Sequence, residues 1–235
     1  MTEFTPVLAA IAGGIFPALA WLWFWRREDS VHPEPRRLIA LAFLAGMVAV
    51  YVAAKTELYV SRILVNSISV TILTFTVWPA IEEIVKFLAA YFTVLRRRED
   101  DEPIDPVIYM VAVALGFAAA ENTLFLLSPL SGDTVIQTVL TGNLRTVGAT
   151  LLHVLSSSII GAAFGLSFYK SKMQKFAYAV IGVILAIALH GSFNYLILNT
   201  PEESLLRTFG YVWIALIALL AVLEYIKRIH PRIFK

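Results

Sequence analysis

Cysteine is absent from the 235-residue chain, and charged residues are scarce. The lack of cysteine excludes disulfide frameworks, thiolate zinc sites, iron–sulfur centres and a cysteine nucleophile. Charged residues make up 15% of the chain and hydrophobic residues 59%, against about 25% and about 45–50% in soluble globular domains. Because one soluble core cannot hide so large an apolar excess, part of the surface must face lipid. The net charge of +2 gives no reason to expect nucleic acid as a partner.

Long apolar runs divide the chain into segments that can each cross a bilayer, which takes about 20 mostly apolar residues. No basic residue precedes the first run, so we expect it to be a retained span and not a cleaved signal peptide. The sequence therefore predicts an all-α polytopic membrane protein, with one integral membrane domain over residues 1–235. The seven predicted transmembrane helices are 6–25, 38–54, 79–95, 106–127, 146–169, 176–198 and 207–226.

The segment 63–77 does not fit this count. It is rich in Ile, Val and Thr and too short to cross alone. We expect it either to extend the third span or to lie against that span on the outer side, with Pro79 at a kink or helix start.

Basic residues are concentrated in alternate loops and set the orientation. One loop between them, 128–143, has no Lys or Arg. The positive-inside rule then places the N-terminus outside the cell and the C-terminus in the cytoplasm. We expect a multi-pass protein of the cell membrane. The basic clusters are Arg26, Arg27, Arg36 and Arg37; Arg96, Arg97 and Arg98; Lys170, Lys172 and Lys175; and Lys227, Arg228, Arg232 and Lys235.

A few ionisable side chains interrupt the apolar runs, and each is a candidate functional residue because an unpaired charge is costly in lipid. Glu82, Glu121, His153 and His190 each lie on a different predicted span. At a rise of ~1.5 Å per residue, each lies roughly 21–26 Å above the cytoplasmic end of its span, in the outer half of a hydrocarbon core about 30 Å thick. We therefore expect four helices to contribute to one site. The residues are Glu82, Glu83, Lys86, Glu121, His153 and His190, accompanied by Asn122 and Asn194.

Neighbouring carboxylates, two imidazoles and an amide are suited to activating water. A buried glutamate can act as general base, and a histidine or an asparagine can donate hydrogen bonds to an oxyanion. The same groups could instead hold a divalent metal such as Zn²⁺, with one position open for water. Residue types alone leave both mechanisms open, together with the choice of base between Glu82 and Glu83. The candidate metal ligands are Glu82, Glu121, His153 and His190.

Other protease chemistries lack their residues. All five aspartates lie in predicted loops, which argues against an aspartyl intramembrane site. The His-Glu-x-x-His pattern of zincins is absent, and no glycine-framed serine motif surrounds the serines at 156–158 and 192.

Four short motifs resemble those of the PrsW-type intramembrane proteases. Residues 82–86 (EEIVK) resemble the EExxK motif of that family, and residues 117–121 (FAAAE) resemble its FxxxE motif. His153 and then residues 190–194 (HGSFN) resemble the single histidine and the HxxxD/N motif that follow. The family is related to the type II CAAX prenyl endopeptidases of the CPBP superfamily, but Glu121 in place of a histidine is typical of the PrsW branch.

The resemblance implies an intramembrane endopeptidase with its protease core within 78–198. Its substrate would be a single-span membrane protein, similar to the anti-sigma factors that the best characterised members cleave on the extracytoplasmic side. In our hypothesis Glu82 activates water, directly or on a metal, and Glu121 shares that charge or ligation. His190 and Asn194 polarise the scissile carbonyl, and His153 assists as a donor or second ligand. Glu83, Lys86 and Asn122 support them.

Two other classes of protein could use the same residues. Glutamates and histidines at membrane depth can relay protons in a proton- or cation-coupled transporter, although the repeats and paired broken helices typical of transporters are absent from the sequence. A membrane scaffold that has kept the fold without catalysis is the third interpretation. The sequence leaves the oligomeric state open.

Overall fold

The computed structural model describes residues 4–28, 32–127, 135–199 and 205–230, and within these ranges the regular structure is entirely helical. This confirms the all-α prediction. A π-helical stretch, Leu73–Val77, joins α3 to α4. The helices are α1 (Phe4–Glu28), α2 (Arg36–Leu64), α3 (Val70–Ile72), α4 (Trp78–Thr93), α5 (Asp105–Leu127), α6 (Val135–Leu166), α7 (Lys172–Asn199) and α8 (Leu205–Ile226).

Five helices of the described ranges are long and apolar enough to cross a membrane. They correspond to five of the predicted spans, and a shorter apolar helix, Gly210–Ile226, corresponds to the last. The predicted third span corresponds to α4, which has only 16 residues and carries Glu82, Glu83 and Lys86. The five helical segments are Val7–Arg27, Arg36–Leu64, Asp105–Leu127, Gly148–Leu166 and Lys172–Ile197.

Two helices extend beyond the apolar runs that predicted them. Helix α2 continues past residue 54 to Leu64, through a polar turn in which the Thr56 hydroxyl donates to the Val52 carbonyl at 2.8 Å. Helix α6 begins at Val135, well before residue 146. Apolar composition marks where a helix meets lipid or core, whereas helical hydrogen bonding continues through polar residues beyond that point.

The segment 63–77 is divided between two elements. Its first residues end α2, and residues 70–77 form α3 and the π-helical stretch, which lead directly into α4. Ser69 caps α3, since its Oγ accepts a hydrogen bond from the Ile72 amide at 3.3 Å. Pro79 has no N–H for the carbonyl four residues earlier, that of Phe75, which explains why regular α-helical bonding fails here.

Helix α5 lies at the centre of the molecule. Every residue from Asp105 to Ala119 is buried, because α1, α2 and α6 all pack against this helix. Gly116 permits the closest approach, since a Cβ at this position would lie 1.9 Å from the Phe43 carbonyl oxygen of α2. Small residues allow such backbone contact between membrane helices, where van der Waals packing drives association.

The loop before α2, together with the first turn of α2, meets the loop between α4 and α5 at one end of the bundle. In these contacts His32 Nδ1 lies 2.7 Å from Glu102 Oε1, and Arg37 Nη2 donates to Glu99 Oε1 at 3.1 Å. The loop before α2 and the loop between α4 and α5 are therefore on the same side of the molecule.

Candidate active site

Helix α4 positions the charged residues at the centre of the site. Glu83 and Lys86 are fully buried, and the Glu82 side chain is 12% exposed. Residues four apart share a helix face, whereas consecutive residues point about 100° apart. Glu82 and Glu83 therefore meet different partners from the neighbouring helices, although both lie beside Lys86.

Glu83 links three helices through its carboxylate. Its Oε1 lies 2.5 Å from Lys86 Nζ and accepts a hydrogen bond from Ser156 Oγ at 2.9 Å. The same oxygen lies 2.8 Å from His190 Nδ1. Its Oε2 accepts a hydrogen bond from Ser157 Oγ at 2.8 Å. A buried carboxylate with four such partners stabilises the contacts among α4, α6 and α7 and has little capacity left for a substrate.

The contact with Glu83 orients the His190 ring. Because a carboxylate only accepts hydrogen bonds, the Nδ1 of a neutral His190 carries the proton that faces Glu83. The other nitrogen, Nε2, then presents a lone pair, and it lies 3.7 Å from Glu82 Oε2. A histidine oriented in this way by a carboxylate is typical of a metal ligand.

His153 of α6 bridges Lys86 and Glu121. Its Nδ1 lies 3.0 Å from Lys86 Nζ, and its Nε2 lies 2.6 Å from Glu121 Oε2. Lysine donates and carboxylate accepts, so a neutral His153 carries its proton on Nε2. The two imidazole rings of His153 and His190 meet edge to face, with their centroids 5.1 Å apart.

Glu82 differs from Glu83 in having an oxygen without a hydrogen-bond partner. Its Oε2 is inaccessible to solvent and has no hydrogen-bond partner among the described residues. This oxygen lies 3.8 Å from His153 Nδ1 and 4.0 Å from Lys86 Nζ, beyond hydrogen-bond distance. An unpaired buried carboxylate oxygen is costly unless a proton, a water or a cation meets it.

Aromatic packing and one glycine complete the surroundings of the cluster. The Phe117 ring lies beneath Lys86, with Nζ 4.7 Å from the ring centroid, and contacts the His153 ring. Gly191 brings α7 against the π-helical stretch, since a Cβ there would lie 2.0 Å from the Phe75 carbonyl oxygen. That is the carbonyl that Pro79 leaves without its helical donor. His190 therefore reaches the cluster from a backbone held in close contact.

The donor atoms of three residues are close enough to share one cation. One ligand atom each from Glu82, His153 and His190 lies within 4.8 Å of the others. Carboxylate and imidazole are ligands that zinc accepts. The lone pair of His190 Nε2 faces the unpaired Glu82 oxygen, an arrangement that a cation between them would stabilise. The residues therefore fit a divalent metal, with Glu82 and His190 as the freer ligands and His153 held partly by Lys86.

The structure brings together Glu82, Glu83, Lys86, Glu121, His153 and His190, but it places the two predicted asparagines differently. The Asn122 amide donates to Thr150 Oγ1 at 3.1 Å and so links α5 to α6. Asn194 lies one turn beyond His190, half-buried, and makes no hydrogen bond to the described cluster.

Three polar residues near the cluster were missed in the sequence. Ser156 and Ser157 donate to Glu83, and Glu57 of α2 is close enough to interact electrostatically with Glu121, Glu82 and Lys86. The serines follow His153 by three and four residues, which places them on its helix face. Glu57 lies beyond the predicted end of its span, and only a longer α2 could have included it.

Comparison with known proteins identifies the family. Residues 34–223 match the family described as PrsW family intramembrane metalloprotease. The chain belongs to the PrsW family. It is an integral membrane protein and a membrane protease that cleaves peptide bonds, as predicted. No solved structure matches it.

Curated relatives of this family are similar over most of their length. Protease PrsW of Geobacillus kaustophilus is 30% identical over 199 residues, which cover 82% of this chain and 81% of the relative. Protease PrsW of Oceanobacillus iheyensis is 28% identical over 91% of this chain and 94% of the relative. Protease PrsW of Bacillus subtilis is 23% identical over 81% of this chain and 84% of the relative.

Proposed function

We propose that Glu82 is the residue that activates water in this protease, and that the substrate is a single-span membrane protein in the cell membrane. The observation that supports this most directly is the buried, unpaired Oε2 of Glu82 beside two imidazoles. Glu83 is less suited to the role, since Lys86, His190 and two serines already occupy its oxygens.

We further propose seven crossings, with the N-terminus outside. The contacts His32–Glu102 and Arg37–Glu99 join two loops that both carry basic residues, which favours placing both in the cytoplasm. The helix from Val70 through α4 to Thr93 then serves as the third crossing, with its charged centre covered by neighbouring helices. The cluster would lie in the outer half of the bilayer, and Glu121, whose side chain is 40% exposed, would face the approach to it.

Each residue of the cluster has a separate role in the proposed mechanism. In the form without a metal, Glu82 would accept the proton of the attacking water through its free oxygen and later pass it to the leaving amine. Glu83 would hold His190 in the tautomer that leaves Nε2 without a proton, and Lys86 would limit the charge of the carboxylate pair. Glu121 would accept the Nε2 proton of His153 and so hold that ring in the tautomer whose unprotonated Nδ1 faces Lys86 and Glu82.

The tautomer of His190 bears on the choice of mechanism. With Nδ1–H directed at Glu83, Nε2 cannot donate to a carbonyl until it receives a proton, so it is better suited to ligating a metal. In the metal-dependent form, we propose that the free oxygen of Glu82 binds a divalent metal together with His153 and His190, Zn²⁺ by donor type. When bound, such a metal lowers the pKa of water and polarises the carbonyl. Asn194, half-buried one turn from His190, would contact the substrate once it is bound.

The family and the proposed depth of the site support the proposed substrate class. A site beneath the outer surface favours cleavage of a single-span protein on its extracytoplasmic side, as in an anti-sigma factor. A substrate must expose its peptide bond here as extended chain, because the carbonyls of an intact helix are hydrogen-bonded.

The test is cleavage of a single-span reporter by purified protein in liposomes. Glu82→Gln should abolish cleavage, and Glu121→Gln and His190→Ala should reduce it by at least about 100-fold. Glu224→Gln, which removes an exposed carboxylate paired with Lys227 at 2.8 Å, is the matched control and should cleave normally. Full activity in Glu82→Gln would contradict the proposal.

A chelator separates the two forms of the mechanism. Loss of wild-type cleavage in chelator, with recovery on adding Zn²⁺, would support the metal, whereas indifference would leave Glu82 acting on water directly. Ion flux measured in the same liposomes tests the transporter alternative, since a protease needs none.

A further inference from the structure

A long cavity separates α8 from the junction of α6 and α7, away from the catalytic cluster. Its polar part, about 810 Å³, lies beside the α6–α7 turn and the end of α8. Its apolar part, about 440 Å³, runs between α6, α7 and α8. Leu166 and Tyr178 line both parts, so the two parts adjoin at these residues. The cavity exists because α7 and α8 contact each other along little of their length, while both pack on α6.

The two parts differ in chemistry. The polar part is lined by Lys170, Arg228 and His230 together with tyrosine side chains, and no described Asp or Glu lines it. Lys170 and Arg228 form no ion pair within the described part of the chain, and Lys170 lies 5.5 Å from the centroid of the Tyr178 ring. The nearest carboxylate along the chain, that of Glu224, is paired with Lys227. Cations that form no ion pair among the described residues can take an external anion.

The apolar part is lined by Leu and Ile with small residues between them, including Ala163, Gly182 and Ala218. It extends from Leu166 toward Leu155 and Leu189, the chain neighbours of Ser156 and His190. A transmembrane helix of 10 Å diameter and 30 Å length occupies roughly 2,400 Å³. A groove of about 440 Å³ cannot enclose one, whereas a single acyl chain is thin enough to enter.

We propose that this cavity binds an anionic phospholipid of the cytoplasmic leaflet, with the phosphate on Lys170 and Arg228 and one acyl chain in the groove. The orientation proposed above places the cationic part at the cytoplasmic surface, where basic pockets between membrane helices bind anionic headgroups. The cations of the polar part suit a phosphate headgroup, and the apolar groove suits an acyl chain, so both parts fit a phospholipid. A bound lipid would hold α8 against α6 and α7, the two helices that carry the catalytic histidines.

Lipid retention measured by native mass spectrometry tests the proposal. Purified protein is given phosphatidylglycerol or phosphatidylcholine with the same acyl chains, and we expect selective retention of phosphatidylglycerol. The double variant Lys170→Gln/Arg228→Gln should weaken that retention by roughly 10- to 30-fold, since each cation near an anionic lipid surface contributes several-fold. The matched control, Lys172→Gln/Arg98→Gln, removes two exposed cations on the same side but outside the cavity, and should retain lipid normally.

A groove variant distinguishes a lipid from a free phosphate. Ala218→Phe fills the apolar part and should abolish retention, and glycerol 3-phosphate should not displace the bound lipid. Equal retention of both lipids, or wild-type retention by either the charge or the groove variant, would overturn the proposal. So would displacement by glycerol 3-phosphate, or loss of reporter binding in Ala218→Phe with lipid retention unchanged, which would make the groove a substrate site. Circular dichroism establishes that each variant is folded.

Discussion

At the scale of single residues, the two adjacent glutamates differ in their hydrogen-bond partners. Glu83 is fully buried and bonded to four partners, whereas Glu82 keeps one oxygen free beside His153 and His190. The first glutamate therefore contributes to stability and the second is available for chemistry. Substitutions at the two positions should separate these effects.

Glu83 and Lys86 form a buried ion pair, so removing one partner should be worse than removing both. Glu83→Gln leaves the Lys86 ammonium without its anion and should destabilise the protein by about 3–5 kcal/mol. Adding Lys86→Met should recover part of that loss, because no uncompensated charge remains. Thermal unfolding of the two single variants and the double variant in detergent measures the coupling. Strictly additive losses would contradict the interpretation.

Asn122 tests whether a polar residue next to the FxxxE motif is structural. Its amide bonds to Thr150, so Asn122→Ala should cost about 0.6–1.7 kcal/mol, the usual range for a hydrogen bond between membrane helices. Reporter cleavage should remain within about twofold of wild type, because the bond joins Asn122 to Thr150 and not to a residue of the cluster. A large loss of cleavage with unchanged thermal stability would instead place Asn122 in the catalytic site.

At the scale of elements, the close contact between α7 and the π-helical stretch fixes the position of His190. Gly191→Ala places a Cβ within 2.0 Å of the Phe75 carbonyl oxygen, so α7 must move away. We expect a loss of about 1–3 kcal/mol in stability and a loss of up to about 100-fold in cleavage, since a shift of 1 Å at a catalytic group has that effect.

The control is Gly210→Ala in α8. A Cβ at that position meets nothing within 4 Å, so both unfolding temperature and cleavage should stay at wild-type values. If Gly191→Ala cleaves as well as Gly210→Ala does, the contact with Phe75 does not position His190.

The sequence predicted which helices carry the site, but not which of their residues contact each other. Charged residues within apolar runs, such as Glu82 and His190, stand out because lipid disfavours them, and equal depths on their helices suggested a common site. Depth does not say which helices are neighbours, so neither the bond of Asn122 to Thr150 nor the donation of Ser156 to Glu83 could be predicted. Glu57 was missed because apolar composition ended the predicted span at residue 54, while α2 continues to Leu64.

At the scale of the whole molecule, the end of the bundle with the joined loops should respond to pH. Burial, with the neighbouring Asp105 carboxylate adding to its effect, raises the pKa of Asp100 to about 7, although Lys175 opposes the shift. The ordinary value is 3.8, so the folded protein binds this proton more tightly than the unfolded chain does. The stabilising contribution is therefore complete below about pH 4 and is lost as the pH rises through 7.

Unfolding temperatures measured between pH 5 and pH 8 test this dependence. Wild-type stability should fall as the pH rises across that range, and Asp100→Asn should reduce the slope, because its amide does not titrate. Asp101→Asn, at an exposed neighbour, should leave most of the slope in place. Parallel curves for wild type and Asp100→Asn would show that another group governs the response.

The supply of the two imidazoles by α6 and α7 has a consequence for biosynthesis. The carboxylates of α4 and α5 leave the ribosome first, and neither histidine of the cluster has yet been made when they do. In the proposed mechanism, which needs both histidines, translation must pass residue 190 before the nascent chain can hydrolyse a peptide bond. On that proposal, the growing polypeptide cannot cleave neighbouring proteins until most of it has been made.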